Sequence, residues 1–532
     1  MRPDFVIVGA GSGGCVLARR LLDSGARVLL LEAGGRGNHP LIAAPAGFPK
    51  LFKSKLDWAF YTAPQSHLGG RRLYWPRGKV LGGSSATNAT IYIRGSQQDF
   101  GGWSGPDHRG SAGWGEGWSW ADVLPVYRSL ERFRGDESET RGTGGHLHVG
   151  ERVTSHALSH AFVAAARAQG AAVGSSFNDG LHAGAGLYES NHLRGVRQSA
   201  FKAFVEPVLG HPDLTVLPHA QMLELLWEGH RVVGLSFRHG GKVKEVRAGG
   251  VVLAAGTVQT PQLLMRSGIG PRAELEKHGI PLRVHSPGVG GNLQDHPAVP
   301  VIFSSTIPSL DGVNELAALA EWAFKRTGPL TSNVAEAGAY AHARPGLSAA
   351  DPPDIQFHFG PAYFRDHGFT RPPPGSAPHH FSVGPVLVDV RSRGRLSLHS
   401  ADPDAPPIID PQYLADERDR SSLIAGVRLA RQIAAASPLA ELSGGEVLPG
   451  LAAQTDAEIL RFIESEAATF YHPVGTAALG DSDESVVDRR LAVRGVLGLW
   501  VADASVMPHI IHANTNATAM MIGARAAQWL QE

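Results

Sequence analysis

Residues 5–14 read FVIVGAGSGG, an apolar run that is followed directly by closely spaced glycines. The run Phe5–Val8 predicts a strand that is buried on both faces of a parallel sheet. The glycines satisfy the pattern G-x-G-x-x-G, which predicts a tight turn into a helix with Val16 and Leu17 on its apolar side. Because N–H groups at a helix start attract phosphates, the segment predicts a dinucleotide site.

A second predicted strand, Val28–Leu31, ends at Glu32, which lies 18 residues after Gly14. A carboxylate at this distance can accept hydrogen bonds from a ribose diol. The motif predicts these binding residues: Gly9, Gly11, Ser12, Gly14, Glu32 and Ala33. The alternative is a glycine-rich turn beside a solvated Glu32, and the motif does not distinguish NAD from FAD.

The composition favours a folded protein with two or three cores. Of 532 residues, 43% are apolar and 18% are charged, and 49 Lys plus Arg balance 49 Asp plus Glu. This balance disfavours a nucleic-acid partner. The single cysteine, Cys15, excludes a disulfide framework and a multi-cysteine metal site, and we expect no metal.

The same sequence offers no apolar stretch near the ~20 residues of a membrane span. The first residues run directly into the predicted strand, which argues against a cleavable signal. We expect a cytoplasmic protein, with peripheral membrane association left open. The oligomeric state is not predicted.

A second glycine-rich loop lies within residues 77–103, RGKVLGGSSATNATIYIRGSQQDFGGW. Its donors and glycines let the backbone lie against a flat or anionic ligand. Further distinctive blocks are GTVQTPQLLMRSGIG at 256–270, GVGGNLQDH at 288–296, YHPVGT at 471–476, VADASVMP at 501–508 and NTNAT at 514–518. In these blocks and their order, the chain resembles the glucose-methanol-choline (GMC) family of FAD-dependent oxidoreductases, and especially its choline dehydrogenase-like branch.

The resemblance implies an α/β fold with a discontinuous, Rossmann-like FAD-binding domain. It also implies an α+β substrate-binding cap on a mainly antiparallel sheet. The expected FAD-binding segments are 1–148, 190–297 and 466–532, and the expected cap segments are 149–189 and 298–465. Within the cap, residues 345–378 hold eight prolines and are expected to be irregular.

The resemblance also implies which residues bind FAD, with Glu32 at the adenosine ribose. The further expected contacts are Trp58, Arg77, Val80, Gly82, Gly83, Asn88, Ala89, Ile91, Met222, Gly256, Asp503, Ala504 and Thr515. Trp58 and Met222 could equally be core residues. Some relatives carry a histidine that bonds covalently to FAD where Thr87 stands here, so we expect non-covalent FAD.

Alcohol oxidation needs a base for the hydroxyl proton and a donor that steadies the alkoxide. The resemblance places the catalytic base at His472, within YHPVGT. It places the second catalytic group at Asn516, 44 residues later, although an asparagine there could also cap a helix. His512 matches this spacing less well, and His296 is expected to belong to a structural loop.

The predicted reaction is oxidation of a primary alcohol to the aldehyde, with hydride transfer to flavin N5. The electrons would pass to a quinone-type acceptor or to oxygen. Choline-oxidising relatives carry a carboxylate shortly after Asp295-His296, where this chain reads PAVP at 297–300. Because a buried cation without a counter-charge is costly, we prefer a neutral aliphatic or aromatic alcohol to choline.

Three alternatives stay open at this stage. One is a flavin-containing hydroxynitrile lyase-type enzyme, which performs no net redox chemistry. The second is a choline dehydrogenase or oxidase, for which an aromatic box in the cap would replace the missing carboxylate. The third is a flavoprotein without enzymatic activity.

Overall fold

A computed structural model describes residues 2–104, 117–172 and 176–532 of the chain. Helices and strands are both distributed along this length. The α-helices of the described residues are Ser12–Asp23, Pro40–Ala43, Gln97–Ser104, Trp120–Leu130, Ala157–Ala168, Gly256–Arg266, Arg272–Lys277, Glu315–Lys325, Glu417–Ala434, Asp456–Glu466 and Asn516–Leu530.

One sheet, here called the parallel sheet, carries the amino-terminal motif. Its strands in spatial order are Leu214–Leu217, Val28–Leu31, Phe5–Val8, Gly250–Leu253 and Leu499–Val501. All neighbouring strands are parallel, and Val8, Leu31 and Leu217 stand side by side at the carboxyl ends. The strands are short and almost wholly apolar because the sheet is covered by helix Ser12–Asp23 and by the strands Ala220–Glu228 and Arg231–His239.

The helices Ser12–Asp23 and Asn516–Leu530 pack against each other although they lie at opposite ends of the chain. Their contact is close enough that a side chain at Gly523 would lie 2.2 Å from the carbonyl oxygen of Gly13. The second helix is buried along most of its length. Because glycine stands at this crossing, the two helices approach each other closely. Their first residues therefore lie near the edge of the parallel sheet.

A second sheet, here called the cap sheet, is antiparallel. Its main strands in spatial order are Ser443–Leu448, Val301–Ser305, His380–Leu387, Ile355–Gly360, Ala337–Ala341 and Ala185–Leu187. The short strands Pro297–Ala298 and Ala468–Thr469 extend it beside His380–Leu387. Helices Ala157–Ala168 and Glu417–Ala434 cover its outer face.

Smaller sheets complete the fold. Ala220–Glu228, Arg231–His239 and Lys242–Arg247 form an antiparallel three-stranded sheet. The remaining strands form pairs: Phe60–Tyr61 with Tyr74–Trp75, Glu131–Phe133 with Leu147–Val149, His192–Leu193 with Val196–Arg197, Ile269–Gly270 with Val284–His285, and Arg395–Ser397 with Ile408–Asp410.

The predicted fold class agrees with this architecture, a parallel α/β sheet with a separate antiparallel cap sheet. The parallel sheet draws its strands from within segments 1–148, 190–297 and 466–532. The strand Ala468–Thr469 falls inside the last of these segments and nevertheless pairs with the cap. The domain boundaries themselves stay predictions.

The prediction of irregular chain over 345–378 is wrong for one segment. Ile355–Gly360 is a fully buried central strand of the cap sheet, paired on both sides. The prolines flank this strand and lie outside it, where no backbone N–H is needed for pairing. Within the residues that the structure describes, no helix is long and apolar enough to cross a membrane.

Candidate active site

A single long cavity runs from the carboxyl edge of the parallel sheet to the inner face of the cap sheet. Its volume is about 740 Å³. Most residues predicted to bind the cofactor line it, and these are Gly9, Gly11, Ser12, Glu32, Ala33, Trp58, Arg77, Gly83, Asn88, Ala89, Ile91, Met222, Gly256, Asp503, Ala504 and Thr515. The two predicted catalytic residues, His472 and Asn516, line it as well.

Three predicted binding residues do not line the cavity: Gly14, Val80 and Gly82. Each supports the wall from behind. A side chain at Gly14 would lie 2.0 Å from the carbonyl oxygen of Gly9, and the Gly82 N–H donates to the Ala10 carbonyl at 2.7 Å. Val80 is fully buried beside Gly35. These residues hold the two glycine-rich loops together, and their predicted contact with the cofactor stays a prediction.

Glu32 closes one end of the cavity. Its carboxylate accepts a hydrogen bond from the Ala10 N–H at 3.0 Å and another from the Gly34 N–H at 2.8 Å. Burial raises the pKa of this carboxyl to about 7, against the lowering effect of the two N–H donors. Each oxygen keeps a lone pair that can accept from a ligand hydroxyl, as ribose recognition requires.

Two helix starts meet in the middle of the cavity. Ser12 and Asn516 are the first residues of their helices, and the Ser12 hydroxyl donates to the Asn516 carboxamide oxygen at 2.7 Å. Neither helix has a side-chain cap on its first N–H groups. The Asn516 amide nitrogen is also buried without a partner among the described residues. Free N–H donors beside the partial positive charges of two helices fit the pyrophosphate of a dinucleotide.

His472 lies at the opposite end, where a turn enters the cavity. The turn is fixed by Asp295, whose carboxylate accepts from the His472 N–H at 2.7 Å and the Thr469 hydroxyl at 2.5 Å. Tyr413 donates its hydroxyl to the same carboxylate. Tyr471 takes a left-handed φ of 72°, and its carbonyl accepts from Arg77 at 2.7 Å. The position of the His472 imidazole is therefore set by hydrogen bonds to the backbone of residues 471 and 472.

The side-chain partners of His472 are Asn514 and His296. The Asn514 amide nitrogen lies 3.1 Å from His472 Nε2, and His296 Nδ1 lies 3.0 Å from His472 Nδ1. The structure thus places Asn514, and not Asn516, beside the imidazole. Asn516 begins a helix and turns to Ser12, whereas Asn514 precedes that helix and turns to the imidazole. The catalytic role expected of Asn516 stays a prediction.

Burial holds the pKa of His472 well below its ordinary value, with a further lowering from the nearby His296, His358 and Arg77. His296 is also buried, and its pKa falls to about 3. Both rings are thus neutral at pH 7. Because an amide N–H faces His472 Nε2, that nitrogen presents a lone pair, and the ring proton belongs on Nδ1 toward His296.

A buried ion pair anchors the loop that carries Asn514. His512 Nδ1 lies 2.5 Å from the Asp99 carboxylate, which also accepts from the His512 N–H at 3.0 Å. These contacts with Asp99, and Asp389 beyond the ring, raise the pKa of His512 to about 9 despite its burial. His512 is thus a charged structural residue in this site, which explains its poorer fit to the expected catalytic spacing.

The cavity wall carries apolar residues, among them Val299, Pro300, Ala468 and Phe470, and polar ones, among them His358, Thr469 and Asp366. Farther along the cavity, Glu466 is engaged by the Arg365 guanidinium at 2.7 and 2.8 Å. The structure, over the residues that it describes, contains no cluster of His, Cys, Asp and Glu that could hold a metal ion.

These features define a long cavity with a glycine-rich, doubly helix-started end that fits a dinucleotide and a buried, neutral histidine at the other end. Models of the GMC oxidoreductase family match residues 3–298 and 390–523. The chain belongs to this family of FAD-binding oxidoreductases, whose members act on CH–OH groups.

Individual relatives cover nearly the whole chain. It is 42% identical to the alcohol dehydrogenase (acceptor) of Pseudomonas putida, over 99% of this chain and 95% of that protein. It is 37% identical to the oxygen-dependent choline dehydrogenase of Sinorhizobium fredii, over 99% and 95%. The solved structure of pyridoxine 4-oxidase from Mesorbium loti covers 99% of both chains with a TM-score of 0.88 and 31% identity.

Proposed function

We propose that the protein oxidises a primary alcohol to the aldehyde with FAD, using His472 as the base and Asn514 as the alkoxide donor. One observation carries the proposal. A neutral imidazole and a carboxamide meet at 3.1 Å on the wall of the cavity that also contains Glu32 and the two helix starts. An alcohol placed there would meet a proton acceptor and a hydrogen-bond donor together.

Each residue has a separate task in this proposal. His472 Nε2 takes the hydroxyl proton when the alcohol replaces the Asn514 amide N–H as the partner of its single lone pair. The Asn514 amide then donates to the oxygen on which negative charge develops. His296 accepts from His472 Nδ1 and keeps the ring oriented after Nε2 is protonated. When bound, FAD supplies the hydride acceptor.

The substrate that we propose is a neutral aliphatic or aromatic alcohol. Residues 297–300, which read PAVP, supply no carboxylate that could balance an ammonium group. Of the carboxylates farther along the cavity, Glu466 is paired with Arg365, and Asp366 is a second negative group on the wall. We prefer a neutral alcohol to choline on the first ground.

We also propose that FAD is bound without a covalent link. Thr87 lines the cavity and offers a hydroxyl in place of an imidazole. Precipitation with acid should release the yellow colour into the supernatant. Colour that stays with the precipitated protein would contradict this proposal.

The acceptor that we propose is a quinone-type compound or oxygen, and the place of action that we propose is the cytoplasm. Parallel assays with oxygen and with a quinone-type dye distinguish the two acceptors. A rate that is the same in air and under argon with dye present would exclude oxygen as the main acceptor.

The central experiment follows flavin absorbance during anaerobic mixing with a panel of primary alcohols. We expect bleaching by at least one alcohol, and His472→Ala should slow it at least ~10²-fold while FAD stays bound. Bound FAD that no alcohol reduces would favour a lyase. Normal reduction in His472→Ala would remove the assignment of the base.

A further inference from the structure

His358 is a second imidazole on the cavity wall. It lies on the cap-sheet strand Ile355–Gly360 and is only 5% exposed. Neither ring nitrogen has a hydrogen-bond partner among the residues that the structure describes. No step of the proposed reaction uses it, so its polar atoms need another explanation.

The strand geometry turns His358 into the cavity. Alternation along the strand places Phe357 and Phe359 on the opposite face, where Phe359 stacks on Phe162 of the covering helix at 4.7 Å. The residues beside His358 on the neighbouring strands are Gly338 and Gly384. Gly384 leaves its side of the imidazole without a cross-strand side chain, whereas the Tyr188 ring fills the space over Gly338 and packs on His358 with centroids 4.9 Å apart.

His358 and His472 belong to the same chamber. The Phe470 ring lies between them, with its centroid 4.4 Å from the His358 ring and 5.4 Å from the His472 ring. Both histidines and Phe470 line the cavity. A small alcohol that contacts Phe470 can therefore reach both imidazoles.

The physical chemistry of a buried imidazole limits what it binds. Burial lowers the pKa of His358 to about 3, so the ring is neutral at pH 7. A neutral imidazole has one N–H donor and one acceptor nitrogen, which suits a hydroxyl, ether or carbonyl oxygen. Leaving such a group buried and unbonded is destabilising, and a suitably placed ligand oxygen removes that cost.

We propose that the substrate is an alcohol with a second oxygen atom, a hydroxyl, ether or carbonyl group, which hydrogen-bonds to His358 while the reacting hydroxyl lies at His472. This inference rests on the proposed alcohol oxidation. It narrows the substrate class from neutral alcohols in general to alcohols with two oxygen functions.

The test compares matched substrates in the FAD-loaded enzyme. Each 1-alkanol of four to eight carbons is paired with the α,ω-diol and the ω-methoxy alcohol of equal length. We measure kcat/KM for anaerobic flavin reduction, and separately the Kd of each diol by calorimetry. The wild type should favour an oxygenated partner about tenfold or more at one chain length.

The variants assign this preference to one side chain. His358→Leu should abolish the preference, measured as the ratio within each pair, whatever its effect on the rate with 1-alkanols, whereas His358→Gln should keep part of the preference. His367→Leu is the matched control, because His367 also lines the cavity but is already bonded to the Tyr471 hydroxyl at 2.7 Å. It should keep the preference whatever its effect on the rate.

Two results would overturn the inference. A wild type that favours the 1-alkanol at every length would mean that bound water satisfies His358. An equal loss for both members of each pair in His358→Leu would mean that the ring acts on the reacting hydroxyl or on the fold. If no alcohol reduces the flavin, the proposed function fails, and the diol Kd values of wild type and His358→Leu still decide whether His358 binds the second oxygen.

Discussion

The two ends of the cavity are constructed differently. At the Glu32 end, one continuous segment supplies the strand, the glycine turn, the helix start and the acid, all within residues 5–34. At the His472 end, the imidazole meets Asn514 and His296, and its backbone is held by Asp295. These residues come from two separate stretches of the chain, of which one begins near residue 290 and the other near 470.

This difference separates cofactor binding from chemistry. The Glu32 end depends on backbone geometry, and a side-chain change there alters affinity for the dinucleotide. The His472 end depends on side-chain contacts of about 3 Å between distant segments, and small displacements there alter rate. Substitutions at the two ends should therefore affect different measurements.

The most demanding test compares the two neighbouring asparagines. Asn514→Ala should slow flavin reduction by about 10²-fold with FAD content unchanged, because it removes the donor beside His472. Asn516→Ala is the matched control. It should weaken FAD retention and leave the reduction rate of the loaded protein within a few-fold, since its carboxamide bonds Ser12. Stopped-flow measurement of the flavin reduction rate in both variants tests this prediction. A slow reduction in Asn516→Ala with a normal rate in Asn514→Ala would restore Asn516 as the catalytic residue.

The second test concerns the Glu32 end. Glu32→Gln should weaken FAD binding about tenfold, because it replaces one carboxylate oxygen that accepts a backbone N–H. The reduction rate of protein saturated with FAD should stay the same. Fluorescence titration of the apoprotein with FAD measures the first quantity, and a rate loss at saturation would show that the two ends are coupled.

The smallest expected effect is on thermal stability. It concerns the ion pair of His512 with Asp99, which anchors the loop that carries Asn514. The pKa of His512 is about 9 in the folded protein, above the ordinary value of 6.5. Its stabilising contribution is therefore fully present below pH 6.5 and is lost as the pH rises through 9. The apparent Tm should fall by a few degrees between pH 6.5 and pH 9.5.

Asp99→Asn tests the origin of that pH dependence. The variant removes the partner charge, so it should have a lower apparent Tm at pH 6.5 and a flatter profile to pH 9.5. Scanning calorimetry across this range measures both. A profile identical to that of the wild type would place the alkaline transition elsewhere in the chain.

The sequence predicts the Glu32 end well because its interactions are local. Phe5–Val8, the glycines and Glu32 lie within one strand-turn-helix-strand unit, and the structure forms that unit. Ile355–Gly360 was missed because the prolines nearby dominate the local composition, whereas the strand is stabilised by partners at 337–341 and 380–387.

The His472 end was predictable only in part. The block YHPVGT pointed to the imidazole of His472. The choice between Asn514 and Asn516 depends on the residue at which a helix begins, and residue spacing predicts a helix start only to within about one turn. His296 lies 176 residues from its partner, and no local pattern reports such a contact. Nor does the sequence show that His358 faces a cavity, since this follows from glycines on two other strands.

The hydrogen bond between Ser12 and Asn516 joins residues 504 positions apart. On the ribosome, helix Ser12–Asp23 emerges long before Asn516–Leu530 has been translated, so the nascent chain lacks one wall of the cofactor cleft until that later helix is made. FAD uptake should thus follow the synthesis of Asn516–Leu530, and messages truncated before this helix should yield colourless protein.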